Sequence, residues 1–112
     1  MGAVTIRSEI AKLPFATPYS LIKTVAATGT PELVSATSLP FTQAIFVGNK
    51  AARTANTGIV YLGVQATDDA QFVAIGIGAT LTITAPVGQK LNLNQFYLDV
   101  ATAADGVCVM FW

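Results

Sequence analysis

From Phe41 to Trp112 the chain is a series of short runs in which apolar and polar residues alternate, each cut off by Gly, Pro, Asn or Asp. Period-two alternation puts every second side chain on one face of an extended strand, a pattern that a 3.6-residue helix cannot use. The clearest run is Thr80-Leu81-Thr82-Ile83-Thr84-Ala85, closed by Pro86-Val87-Gly88. Residues 42–48 read the same way, with Ala44, Phe46 and Gly48 on one face and Gln43, Ile45 and Val47 on the other. Residues 59–64 follow the turn residues Asn56-Thr57-Gly58, and residues 71–77 follow Thr67-Asp68-Asp69, with Gly76 and Gly78 allowing a bend or bulge. Residues 91–100 read as a turn leading into a strand. Ala104-Asp105-Gly106 then precedes residues 107–112, and Asp-Gly between two apolar runs is a hairpin signal. Seven or eight short strands at roughly 8 to 12 residue spacing predict one all-β domain, an antiparallel sandwich or jelly-roll-like fold. Its expected core is Ile45, Val47, Val60, Leu62, Leu81, Ile83, Val107 and Val109.

The first forty residues differ, because they hold four of the five prolines: Pro14, Pro18, Pro31 and Pro40. Proline at this density forbids long helices and central strands. Residues 19–27 still alternate as a strand, ended by Thr28-Gly29-Thr30-Pro31. Before them, Val4, Ile6, Ile10, Leu13 and Phe15 need burial, while Pro14 and Pro18 prevent a compact local unit. One short helical turn over residues 7–12 is compatible with the spacing of Ile6, Ile10 and Leu13. The expected organisation is an extended arm over residues 1–18 and a sandwich domain over residues 19–112, the arm lying on a neighbouring subunit.

Charge limits the function classes. Six Lys plus Arg and six Asp plus Glu make 11% of the 112 residues, where an ordinary soluble domain carries about 25%. The net charge is zero, there is no His and there is one Cys, so acid/base catalysis, a His or Cys metal centre and neutralisation of nucleic acid all lack their usual side chains. With 53% hydrophobic residues and a mean hydropathy of +0.58, some apolar surface must remain for a partner to cover. Residues 70–89 hold no charge over the length of a membrane helix, but Gln71, Gln89, Pro86 and the Thr alternation describe a strand with one wet face. No membrane partner is therefore expected. Residues 1–10 lack the basic and apolar segments of a secretory signal, and the residue that would complete a myristoylation motif after Gly2 is Ile6.

No Ser/His/Asp, Cys/His or metal-ligand cluster can be assembled from a chain with no His and one Cys, so no catalytic residue, metal ligand or cofactor site is expected, and no enzyme. Asp68, Asp69, Asp99 and Asp105 read as solvated turn residues; two of them across a cleft would be needed for glycosidase chemistry, and a Ca²⁺ cage at Asp68-Asp69 lacks a third carboxylate. Gly76-Ile77-Gly78 lacks the lysine and third glycine of a phosphate loop, and Lys50 with Arg53 is too small a basic patch for nucleic acid. Tyr61 and Phe72 are expected in the core. The terminal strand is apolar on both faces, Val107, Val109 and Phe111 on one, Cys108, Met110 and Trp112 on the other. Its outer face is expected to meet another subunit or the N-terminal arm. The candidate interface residues are thus Ile6, Ile10, Leu13, Phe15, Met110 and Trp112, and Cys108 is expected as a buried reduced thiol.

The order of motifs carries a resemblance: Ser20-Leu-Ile-Lys-Thr-Val-Ala-Ala-Thr-Gly-Thr-Pro31, Asn56-Thr-Gly-Ile-Val-Tyr-Leu-Gly63, Leu81-Thr-Ile-Thr-Ala-Pro86 and Asp105-Gly-Val107. Over residues 20–112 this resembles the small β-sandwich virion proteins of tailed bacteriophages, among them capsid decoration proteins and fibre or tail-associated proteins. The resemblance implies a structural protein on the virion surface, a decoration or cement subunit bound between major capsid proteins. It also implies self-association, with a homotrimer as the first expectation, and no small-molecule substrate. Its alternative is an adhesin module of a tail or fibre that contacts host receptors.

Overall fold

In the computed structural model, which describes residues 17–67 and 69–112, the alternating runs become strands and none of the described residues is α-helical. Eight principal strands follow in chain order: β1 (Tyr19–Thr24), β2 (Glu32–Leu33), β3 (Gln43–Val47) and β4 (Val60–Gly63), then β5 (Val73–Ile75), β6 (Thr80–Thr84), β7 (Tyr97–Val100) and β8 (Gly106–Phe111). Two small ribbons accompany them, Pro40–Phe41 with Leu91–Asn92 and Asn49–Ala51 with Thr54–Ala55.

The principal strands form two sheets, in the orders β1-β8-β3-β6 and β2-β7-β4-β5, with every pair antiparallel. First and last strands lie side by side in one sheet, second and seventh in the other. This is the eight-stranded jelly-roll order, built from two Greek keys, and it bears out the all-β sandwich expected from the alternation.

Between the sheets lie Ala44, Phe46, Val107, Val109 and Phe111 of the first and Val60, Leu62, Ile75, Leu98 and Val100 of the second, all buried. Phe96 joins them, its ring centroid 6.1 Å from Phe41 and 6.2 Å from Phe46. A 3-10 turn over Leu93–Gln95 delivers it: the Asn92 side chain accepts from the Asn94 N–H, and the Asn92 N–H donates to the Gln95 side chain at 3.1 Å. Residues 91–100 are therefore a turn leading into a strand, as their sequence predicts.

Four expectations are corrected. Ile45 and Val47 face away from the core, because Ala44 and Phe46 occupy the inward positions of β3. Leu81 and Ile83 are only partly buried, since β6 is an edge strand. Phe72 is 82% exposed, and Tyr61 is only half-buried. Finally, Asp105-Gly106 makes no hairpin: β7 and β8 belong to different sheets, and Asp105, expected in solvent, is 1% exposed. The Asp105 carboxylate accepts hydrogen bonds from the Thr57 and Gly58 N–H groups and cannot serve a solvated turn.

Candidate functional site

The strand register defines the outer face of the first sheet. Ser20 lies opposite Met110, Met110 opposite Ile45, and Ile45 opposite Thr82. In the next row Ile22, Cys108, Val47 and Thr80 follow one another in the same way. A third row runs from Trp112 through Gln43 to Thr84: the Trp112 N–H donates to Gln43 O at 3.0 Å and the Gln43 N–H donates to Trp112 O at 3.1 Å. None of these positions carries a charge. The four strands thus hold a face with an apolar centre and a margin of Thr along β6.

The centre is accessible. Ile22 is 53% exposed and Met110 45%, and both line a groove of about 370 Å³ with Ile45, Val47, Ala52 and Cys108. The Cys108 thiol sits 3.7 Å from Asn49 O, and burial pushes its pKa up, so near neutrality it is a thiol and a weak nucleophile. It is half-buried rather than fully enclosed.

Of the sequence-predicted interface residues, Met110 stands at the middle of this face and Trp112 at one end, half-buried. Ile6, Ile10, Leu13 and Phe15 lie outside the described residues, as do Asp68 and the turn proposed over residues 7–12. Ile22, Ile45 and Val47 were not recognised as surface residues. The alternation does separate Ile45 and Val47 from Phe46, but it does not say which face is covered. The one local hint was the bulk of Phe46, which has the most area to bury, and bulk alone does not choose a face.

A second feature lies on the other sheet. Tyr61 of β4, Asp99 of β7, Asp69 and Gln71 line a small polar depression. Gln71 is 5% exposed; its Nε2 donates to the carbonyls of Gln65 and Thr67, and its Oε1 has no hydrogen-bond partner among the described residues. Asp99 Oδ1 accepts from the Gly29 N–H at 3.0 Å and from the Val100 N–H at 2.8 Å, which ties the loop after β1 to β7. The depression offers oxygen acceptors and one aromatic ring to a hydroxylated ligand. Among the described residues, no three His, Cys, Asp or Glu side chains gather as a metal site would require.

Compared with protein families, with curated proteins and with solved structures, the chain matches none.

Proposed function

We propose that this protein is a structural subunit that works by covering the outer face of its β1-β8-β3-β6 sheet with another protein, and that its site of action is the capsid surface of a tailed bacteriophage, between major capsid proteins. One observation carries the reading: a whole sheet face without a charge, with Ile22 and Met110 exposed at its centre. Apolar residues grouped without charges are the composition of an interface core, and a stable contact buries roughly 1,200 to 2,000 Å² in total. The motif order in residues 20–112 supports the virion setting, and jelly rolls are common in viral capsids. Such a subunit acts stoichiometrically, by adding buried apolar area between neighbours, and needs no catalytic group.

The test adds purified protein to phage heads that lack it and measures bound copies by sedimentation, and head survival on heating. Saturable binding that raises the temperature of head rupture supports the reading. Binding should be lost in Ile22→Asp and Met110→Asp, whose exposed positions leave the fold intact. Binding unchanged in both variants, or no binding at all, overturns it.

The tail or fibre adhesin is the second reading, favoured by the depression around Tyr61 and Gln71, since lectin domains also use the jelly roll. Glycan binding lost in Tyr61→Ala, with no binding to heads, would establish this reading in place of the first.

A further inference from the structure

Among the described residues strand β6 ends the first sheet, and its register shows which of its backbone groups β3 leaves unpaired. The Gly48 N–H donates to Ala79 O at 2.9 Å and the Ala85 N–H donates to Thr42 O at 2.7 Å, so Ala79 and Ala85 turn their backbone groups toward β3. In an antiparallel pair that orientation alternates, so Leu81 and Ile83 also bond β3, while Thr80, Thr82 and Thr84 point their N–H and C=O groups outward. Edge strands usually carry a charge, a proline or a bulge that blocks pairing with another chain. β6 has none: it is Thr-Leu-Thr-Ile-Thr, five residues in regular register. The other three sheet edges differ. β1 carries Lys23, β2 is two residues long with Glu32, and β5 is three residues long.

We propose that two copies of this chain pair through β6, antiparallel about a two-fold axis at Thr82. In that register Thr82 faces Thr82 of the second copy, and Thr80 faces Thr84. All three pairs are of the hydrogen-bonded kind, so the six outward groups of each strand are satisfied by six inter-chain bonds. Thr–Thr pairs line one face of the joined sheet, a favourable cross-strand combination. On the other face Leu81 of each copy stands opposite Ile83 of the other. Beneath β6 the open side of the sandwich is a groove with a wholly apolar lining that includes Leu81, Ile83, Phe96, Val64, Val73 and the exposed Phe72. The two-fold axis turns both grooves toward each other. A strand of this sequence is complementary to itself, so the occupant is a second copy, and the contact is isologous and closes at two. Closure at two replaces the homotrimer implied by the resemblance. The proposal is independent of the capsid reading and uses a different part of the sheet from its apolar centre.

The experiment measures the mass of the full chain by sedimentation equilibrium from about 1 to 200 μM, with amide hydrogen exchange at the same concentrations. The expected result is a reversible monomer–dimer equilibrium between 11.6 kDa and twice that mass. Exchange at Thr80, Thr82 and Thr84 slows as the dimer forms. Thr82→Pro removes a donor that β3 does not use, and Thr82→Lys adds the missing guard; both are expected to keep the circular dichroism of the wild type and remain monomeric. Ile22→Asp, at the far edge of the sheet, is expected to dimerise normally. A monomer throughout, a trimer, or a dimer that persists in Thr82→Lys overturns the proposal. Ile22→Asp separates this result from failure of the capsid reading, because it affects head binding alone.

Discussion

The Asn56 side chain and the Gly106 backbone bind each other twice: Nδ2 donates to Gly106 O at 2.7 Å, and the Gly106 N–H donates to Oδ1 at 3.1 Å. Both residues are buried. Beside them the Asp105 carboxylate accepts from the Thr57 N–H at 3.0 Å and the Gly58 N–H at 2.7 Å. Two sequence turns nearly fifty residues apart are thereby one polar staple joining the entry to β4 with the start of β8.

Cutting the staple leaves the buried Gly106 groups or the partly buried Thr57 and Gly58 N–H groups without partners, and a fully buried group so left costs about 1–3 kcal/mol. Asn56→Ala is therefore expected to lose roughly 2–4 kcal/mol and Asp105→Ala a similar amount. Because the two side chains hold the same pair of segments, the double variant should lose less than the sum. Urea denaturation of the three variants measures this directly, and full additivity would show two independent contacts.

Gly106 has a second duty. A Cβ placed there lies 2.7 Å from Thr24 Cα and 2.8 Å from the Lys23 carbonyl carbon, which are backbone atoms of β1 that cannot rotate away. Gly106→Ala is expected to push β1 off β8 and cost upwards of about 3 kcal/mol, at the high end of single substitutions. Gly88 supplies the contrast: its φ is +77° but no described residue lies within 4 Å of its Cβ position. Gly88→Ala should cost only about 1–2 kcal/mol, the left-handed penalty alone. Thermal melts of the two variants separate crowding from backbone conformation.

Glu32 links β2 to β1. It accepts from Lys23 Nζ at 2.9 Å and from the Ala26 N–H at 3.1 Å, and the Lys23 bond, followed by the Ala26 bond, holds its pKa below the usual glutamate value. A lowered carboxylate pKa stabilises the fold above the unfolded value and loses that contribution as the pH falls through the folded one. Both side chains are about a third exposed, so solvent screening keeps the effect under about 1 kcal/mol. The stability difference between wild type and Glu32→Gln is expected to be constant from pH 6 to 8 and to shrink below about pH 4.5. A difference that persists at pH 3 would assign the effect to packing instead of charge.

How much of this was legible in the sequence depends on whether the deciding contact was local. The strands of residues 41–112 were legible because alternation is local, and so was the turn at Leu93–Gln95, whose capping residues are three apart. The direction of β3 was not: Ile45 and Phe46 are equally apolar by type, and only the position of Phe96 in the sandwich decides that Phe46 goes inward. Asp105 was misread for the same reason, since its partners Thr57 and Gly58 are 48 and 47 positions away. The apolar outer surface of β8 was legible because Met110 and Cys108 alternate with Val107, Val109 and Phe111. Its continuation over Ile22, Ile45 and Val47 needed the strand order, which no local pattern contains.

Cys108 reports on that surface. Burial raises its thiol pKa, so the neutral thiol is favoured in the folded chain. The contribution to stability is full below the ordinary thiol pKa of about 8.5 and is lost as the pH rises through the raised value. Relative to Cys108→Ala, the wild type is expected to lose stability above about pH 8.5 and not below it. Alkylation at pH 7 should be slower in the folded chain than in urea, and slower again when a partner covers Ile22 and Met110. A rate unchanged by the bound partner would show that the groove stays open in the assembly.

Salt separates an apolar contact from a charged one. The outer face of the first sheet has no charge; the hairpin Asn49–Ala51 with Thr54–Ala55 reaches its groove through Ala52 and carries Lys50 and Arg53, and Lys50 Nζ donates to Thr57 Oγ1 at 3.4 Å. Burial of apolar area is little affected by screening and is strengthened by sulfate, whereas an ion-paired contact weakens as the Debye length falls from above ~10 Å at 0.05 M to about 3 Å at 1 M. Without His, no side chain has an unperturbed pKa between about pH 5 and 8. Occupancy on the assembly is therefore expected to stay constant from about pH 6 to 8 and from about 0.05 to 1 M NaCl, and to rise in ammonium sulfate. Ile45→Asp should abolish it under all these conditions while leaving the chain folded, since Ile45 does not enter the core. Release at moderate NaCl, prevented by Lys50→Gln or Arg53→Gln, would transfer the contact from the sheet face to the hairpin.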